Sequence, residues 1–371
     1  MKIFSFGLHY SCIADLREIF TKLGHQYDFE SYSGHNWVLN YQNPPYELLK
    51  ADRWLTEFEK RQLWEQFWND RHAQLDQYDA FVITYPFMWT WLLKKFNKPI
   101  IAHIPIRCDY GLTHKPEEWQ HLNEYARQRV DEGKLFLCAN SIHDKLYAEI
   151  MVGRPCEHIP SVCEYPHIPY NPNAQTYAFY LRGGWPGLPP TVRTREEVFP
   201  NMYPFAILSN VKAIVHCPYA TSTMSIFEFY TMNMPMFVPS HELSCQWYQN
   251  NVKSPTEPIL WHWCNTKLFP QHPPHTPFQI DFKGHPDPNA RDDINAFRHW
   301  TQYCDFYDEA NMPHIQKFNS MEELQQMTTP GHAKYVNCAE VSEKMKAHNV
   351  KRVPAIYEQW RQMLAKVEAA K

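Results

Sequence analysis

The chain has 371 residues, 44% of them hydrophobic and 20% charged, with a formal net charge of -4. Such a length exceeds one ordinary core and implies two domains, and the composition excludes a disordered chain. The near-balanced charge gives no basis for nucleic acid or an acidic membrane as the main partner.

The N-terminus, MKIFSFGLHY, reads as a first β-strand rather than a signal peptide. No stretch approaches the roughly 18 apolar residues that span a bilayer, so no integral membrane segment is expected. Ten cysteines are scattered without a CxxC pair, several inside apolar runs (Cys138, Cys217). They fit buried thiols in a reducing cytosol, and a cytoplasmic protein is expected. Twenty histidines form no HExxH or other close ligand pair, so no metal site is assigned.

Strand-like runs alternate with helix-length segments from the start. Ile3 to Phe6 precedes Cys12 to Leu23, which is apolar at helical spacing and stops at Gly24. Tyr27 to Tyr32 follows as a second strand, and a charged, Trp-rich helical stretch runs from about Tyr46 to Leu75. Ala80 to Thr84, Pro99 to Ile104, Leu135 to Ala139 and His158 to Val162 read as further strands. Helices are expected from Pro116 to Glu132 and, capped by Ser141, from His143 to Met151. Strands separated by such helices imply a parallel sheet buried on both faces.

The proline-rich run EYPHIPYNPN, residues 164 to 173, reads as an interdomain linker. Alternation resumes at Thr176 to Leu181. Lys253 to Asn289 reads as a long irregular excursion, and helices return at Ala290 to Tyr303, Met321 to Met327, Val336 to His348 and Val353 to Glu368. The expected division is residues 1–168, with a returning helix at about 350–371, and residues 169–349. Two Rossmann-like halves place ligands at the C-terminal ends of their strands.

Residues 211 to 240, VKAIVHCPYATSTMSIFEFYTMNMPMFVPS, are the most informative run. They read as strand, hydroxyl-rich turn (Thr221, Ser222, Thr223, Met224, Ser225), helix and strand. The tip of such a helix offers backbone N–H groups to a phosphate, and Glu228, one turn in, would accept from sugar hydroxyls. The alternative is that the hydroxyls merely cap the helix. Upstream, Arg182 leaves a strand end beside Gly183 and Gly184, and Arg193 and Arg195 stand where a helix capped by Thr194 begins. Guanidinium groups match diphosphate oxygens and keep their charge at pH 7.

The run from Val211 to Ser240, with the arginine-glycine turn, resembles the nucleotide-sugar half of retaining glycosyltransferases of the GT-B fold, family 4 in particular. TSTMSIFEFYTMNMP also resembles glycosyltransferases of large algal (chlorella) DNA viruses, which would place the protein in host-cell cytoplasm. The resemblance implies an α/β fold of two Rossmann-like parallel-sheet domains facing across a cleft, with the C-terminal helix crossing back to the first. In that family a glutamate ahead of E-A-x-x-x-G-x-P binds the donor ribose, and Glu228, followed by Asn233 and Pro235, occupies its place. Arg182 matches the first member of the family's diphosphate-binding pair. The usual lysine is absent, leaving Arg193 or Arg195 as the second. PIIAHIP resembles the strand whose histidine faces the donor sugar, which makes His103 the third catalytic candidate. Gly7 resembles the glycine loop near acceptor and phosphates, with His9 in the same loop, and Asn140 and Ser141 mark another strand end. Where the family carries a second glutamate, eight positions before the first, this chain has Ala220.

The implied function is retaining transfer of a hexose from a nucleotide-diphospho-sugar, GDP-mannose before UDP-glucose, to a glycan or glycoprotein acceptor. The donor is a substrate, so no cofactor is expected, and no Asp-x-Asp motif occurs, which fits a metal-independent reaction. The oligomeric state is open. Two rivals share the architecture: a nucleotide-sugar epimerase, and a nucleotide-sugar-binding protein without turnover. No GxGxxG follows a strand, which argues against a dinucleotide enzyme only.

Overall fold

The computed structural model describes residues 1–42, 49, 61–112, 115–181, 185, 187–201, 203–218, 220–250, 274–290 and 293–371. Two compact units emerge. Unit 1 comprises Met1–Ser161, Gln271–Gly284 and Ala355–Lys371; unit 2 comprises Val162–Pro270 and His285–Pro354. Part of the expected excursion, residues 274–284, therefore packs within unit 1, where Phe278 meets Trp119 edge-on.

Unit 1 is built on β1 (Lys2–Gly7), β2 (Gln26–Ser31), β3 (Ala80–Ile83), β4 (Ile100–Ile104), β5 (Leu135–Ala139) and β6 (Glu157–His158). All pairings are parallel, in the order β2-β1-β3-β4-β5-β6. Ile3, Ala80, Phe81, Val82, Ile100 and Ile101 are fully buried, as strands covered on both faces require. Its helices are α1 (Tyr10–Lys22), α2 (Arg61–Leu75), α3 (Pro116–Asp131) and α4 (Ile142–Val152). Gly24, at φ +84°, follows the end of α1, as its freedom at positive φ allows. The expected helix from Tyr46 lies largely outside the described residues.

Unit 2 carries β7 (Tyr177–Phe179), β8 (Val192–Arg193), β9 (Ala213–Val215), β10 (Met236–Pro239) and β11 (Gln316–Phe318). Their order is β11-β10-β9-β7-β8, again parallel throughout. The helices are α5 (Arg195–Val198), α6 (Phe205–Leu208), α7 (Met224–Thr231), α8 (His241–Gln249), α9 (Ile294–Thr301) and α10 (Met321–Thr328). The two helices expected at the C-terminus are one, α11 (Cys338–Ala369), with Pro354 inside it. Its residues up to Pro354 pack in unit 2 and those from Ala355 in unit 1. The protein is thus α/β, with two Rossmann-like parallel-sheet domains.

Both sheets reverse strand order at one place, between β1 and β3 in unit 1 and between β7 and β9 in unit 2. At such points the connecting loops diverge and leave room for a ligand at the strands' C-terminal ends.

Candidate functional site

In unit 2 the reversal is framed by the C-terminal ends of β7 and β9. The backbone N–H of Tyr180 donates to Val215 O at 3.0 Å and that of His216 donates to Phe237 O at 2.9 Å, so both residues lie just past the C-terminal ends of these interior strands. Their rings stack at 5.3 Å, and Phe306 lies 5.0 Å from His216. Burial in these apolar surroundings lowers the His216 pKa to about 3, so the ring is neutral. Neither residue was singled out from the sequence; His216 stood inside the quoted run, but nothing in its spacing marked it.

The chain then takes eight residues, 216–223, to reach α7. Thr221 O accepts from the Asp305 N–H at 3.3 Å, which ties this turn to the 3-10 helix Asp305–Tyr307. Thr223 is the N-cap residue, extended at φ -139° and ψ 127°, yet its hydroxyl makes no capping bond. The capping alternative therefore fails for Thr223. Thr223 Oγ1 and Ser225 Oγ are buried and find no hydrogen-bond partner among the described residues. A buried polar atom left unpaired costs about 1–3 kcal/mol, and such atoms in a native structure call for a partner that a ligand could supply. The whole tip is covered, with Thr221, Thr223 and Ser225 between 6% and 8% exposed.

Glu228 lies one turn further, only 3% exposed, and accepts a hydrogen bond from the Tyr165 hydroxyl. Tyr165 comes from the segment read as a linker, and its ring is held edge-on by Phe205 at 5.9 Å. The carboxylate is thus oriented from outside its own helix. Ala220 is also buried.

The arginines are distributed differently. Arg182 and Gly183 lie outside the described residues. Arg193 ends β8, the edge strand, with its side chain 62% exposed and 3.6 Å from Glu197. Two strand spacings, roughly 10 Å, separate β8 from β9. Arg195 stacks over the Tyr203 ring at 5.3 Å. Thr194 caps α5 as expected: its N–H donates to Glu197 Oε2 at 2.7 Å, completing a capping box.

The remaining candidates are in unit 1. Gly7 ends β1, where a Cβ would stand 2.3 Å from Thr84 Oγ1; the missing side chain is what lets β3's end close on β1. His9 is the N-cap residue of α1, with no side-chain cap, and its Nδ1 is buried without a partner among the described residues. Burial, with His35 nearby, lowers its pKa to about 4. His103 sits within β4, 1% exposed, with both ring nitrogens unpartnered among the described residues. Its ring lies 5.9 Å from that of Trp360 on α11, and burial alone lowers its pKa to about 4. The structure places it in packing rather than at a surface. Ser141 caps α4, accepting from the Asp144 N–H at 3.0 Å, and Asn140 is fully buried.

Thr221, Ser222, Thr223, Met224, Ser225 and Glu228 are therefore gathered on one short helix and its turn. Gly7 and His9 form a separate group in unit 1. Among the described residues, no helix is long and apolar enough to cross a membrane.

No family model and no curated protein matches the chain. Among solved structures, the glycosyltransferase SnogD from Streptomyces nogalater is similar over 99% of both chains, at 11% identity and a TM-score of 0.44. Spinosyn Forosaminyltransferase SpnP matches 64% of this chain and 80% of its own, at 12% identity and 0.39. The S. aureus MnaA-UDP co-structure matches 88% and 96%, at 10% identity and 0.33. These are likenesses of fold at low scores, and the functional argument rests on the residues instead.

Proposed function

We propose that the chain is a retaining glycosyltransferase of the GT-B type that moves a hexose from a nucleotide-diphospho-sugar to a glycan or glycoprotein acceptor. GDP-mannose is the favoured donor and UDP-glucose the next. The observation that supports this is the tip of α7: a helix N-terminus without a side-chain cap at the strand-order reversal, with the Thr223 and Ser225 hydroxyls buried and unpartnered among the described residues. Breaking the sugar–phosphate bond leaves negative charge on the departing diphosphate. Preorganised donors aimed at developing charge are each worth about 2.7–4 kcal/mol in the transition state. The α7 N–H groups and the two hydroxyls are donors of that kind.

Arg182 adds a permanent positive charge by its sequence position, after β7. Arg193 is paired with Glu197 and Arg195 stacks on Tyr203, so each has a role within the protein already. Glu228, oriented by Tyr165, holds the ribose hydroxyls and thereby positions the donor. The acceptor attacks from the leaving-group face and a phosphate oxygen takes its proton, so no protein nucleophile is assigned. With the charge met by N–H groups and arginine, the reaction is read as metal-independent.

The test is to incubate the purified protein with GDP-mannose and UDP-glucose and follow both by NMR. Slow release of nucleoside diphosphate, with the α-anomer of the sugar appearing first, is expected. Isomerised donor would indicate the epimerase instead, and binding without turnover a binding protein. Absence of any nucleotide binding would remove the proposal.

A further inference from the structure

We infer that unit 2 holds a site for a divalent transition-metal ion, Cu²⁺ before Ni²⁺ and Zn²⁺, built from His285 and His299. The two residues stand 14 positions apart, His285 ahead of α9 and His299 on it, and His285 Nδ1 lies 2.7 Å from His299 Nε2. Two uncharged imidazoles at that distance share one hydrogen, which one nitrogen donates and the other accepts. An ion can take that hydrogen's place while the hydrogen moves to the other nitrogen of its own ring, so neither ring changes charge. At the roughly 2.0–2.1 Å of a metal–imidazole bond, two cis ligands stand about 2.9 Å apart and two tetrahedral ones about 3.4 Å. The observed spacing is close to the cis value. Cis imidazoles suit the tetragonal geometry of Cu²⁺ and Ni²⁺, and Cu²⁺ binds such ligands most tightly among the first-row divalent ions.

The surroundings hold both rings in place. Trp300 Nε1 donates to Pro286 O at 3.0 Å, which ties the residue after His285 to α9. The Trp300 ring lies 5.3 Å from His285, and the Tyr303 ring lies 5.6 Å from His299. Trp300 is buried whereas both histidines are partly exposed, so an ion and its waters reach the pair from solvent. Burial, with His285 nearby, lowers the His299 pKa and keeps that ring neutral at pH 7, as a metal ligand must be. Among the described residues no cluster of three or more histidines, cysteines or carboxylates forms, so water takes the remaining positions. The bound ion cross-links His285 to α9, a structural role outside the transfer reaction. The inference does not depend on the glycosyl-transfer reading.

Calorimetric titration of Cu²⁺, Ni²⁺ and Zn²⁺ into the full untagged chain at pH 7 tests this, with electron paramagnetic resonance of the copper samples. One equivalent of Cu²⁺ is expected to bind most tightly, its spectrum showing coupling to two imidazole nitrogens. His285→Ala and His299→Ala should each weaken that equivalent at least tenfold, and the double variant should be little worse than either, because the two rings act as one site. Undiminished Cu²⁺ affinity in the folded variants, no Cu²⁺ binding, or a spectrum without two coupled imidazole nitrogens would overturn the inference. The spectrum is taken on the unmodified protein and stands even if a variant misfolds.

Discussion

Both sheets run parallel and reverse strand order once, yet they fill that reversal differently. In unit 1 the chain passes from β1 to α1 through two residues, Leu8 and His9, and β3 closes on the turn. Thr84 occupies the space a side chain at Gly7 would need, and the Leu8 N–H is already bonded to Tyr85 O. In unit 2 the turn after β9, on the other side of its reversal, takes eight residues, and Thr223 Oγ1 and Ser225 Oγ at the helix tip have no partner among the described residues. The open helix tip in unit 2 is why the phosphate-facing role is assigned there.

Breaking the unit 2 side should have the largest effect. Glu228→Ala removes the carboxylate that Tyr165 orients, and donor kcat/KM should fall by about 100-fold or more, roughly 2.7 kcal/mol. Steady-state kinetics check it, and a change below threefold would take Glu228 out of the site.

Acid should sharpen the contrast next. His103 has a folded pKa of about 4 against 6.5 unfolded, because burial disfavours its charged form. Above pH 6.5 neither state binds the proton and stability is unaffected. As pH falls from 6.5 towards 4 the unfolded chain takes up the proton first, so stability drops by up to about 3 kcal/mol. Denaturant unfolding at pH 7 and pH 4.5 should show the loss, and His103→Phe should reduce it. Equal acid sensitivity in that variant would show the burial argument to be wrong for this ring.

Gly7→Ala tests the closed turn. Its Cβ would meet Thr84 Oγ1 at 2.3 Å, and overpacking of this sort costs about 1–3 kcal/mol. The melting temperature should fall, and Thr84→Ala in the same chain should restore part of the loss. Absence of rescue would mean the two residues do not press on each other. Arg182→Ala is expected to lower donor affinity or turnover at least tenfold, roughly 1.4 kcal/mol or more, with the fold intact. Unchanged kinetics would remove it from the site.

Strands buried on both faces were legible because their apolar runs leave little alternative: Leu135–Ala139 was read with its observed bounds, and Ala80–Ile83 to within one residue. β8 and β11 escaped. Val192–Arg193 is two residues on an edge, and Gln316–Phe318 carries polar residues at two of three positions, so neither has the period a buried strand shows. At the C-terminus a separate helix was read from Val353, a start compatible with Pro354 in its first turn, whereas α11 continues through the proline and loses one backbone bond.

For the site, Glu228 and the hydroxyl turn stood out by residue type and spacing. Tyr165 did not, because a tyrosine among prolines gives no hint that it reaches a carboxylate 63 positions away. His216 was equally silent, since its place just past the strand depends on where β9 ends.

The central claim is that the α7 tip keeps its hydroxyls for a diphosphate, and Thr223→Val tests it most directly. The change is nearly isosteric and removes a buried hydroxyl that is unpartnered among the described residues, so the folded state should lose no stability and gain up to about 1 kcal/mol. Calorimetric titration of GDP and UDP into this variant should show affinity about tenfold weaker than in the unmodified protein. Equal affinity in both, with the variant's stability unchanged, would contradict the account.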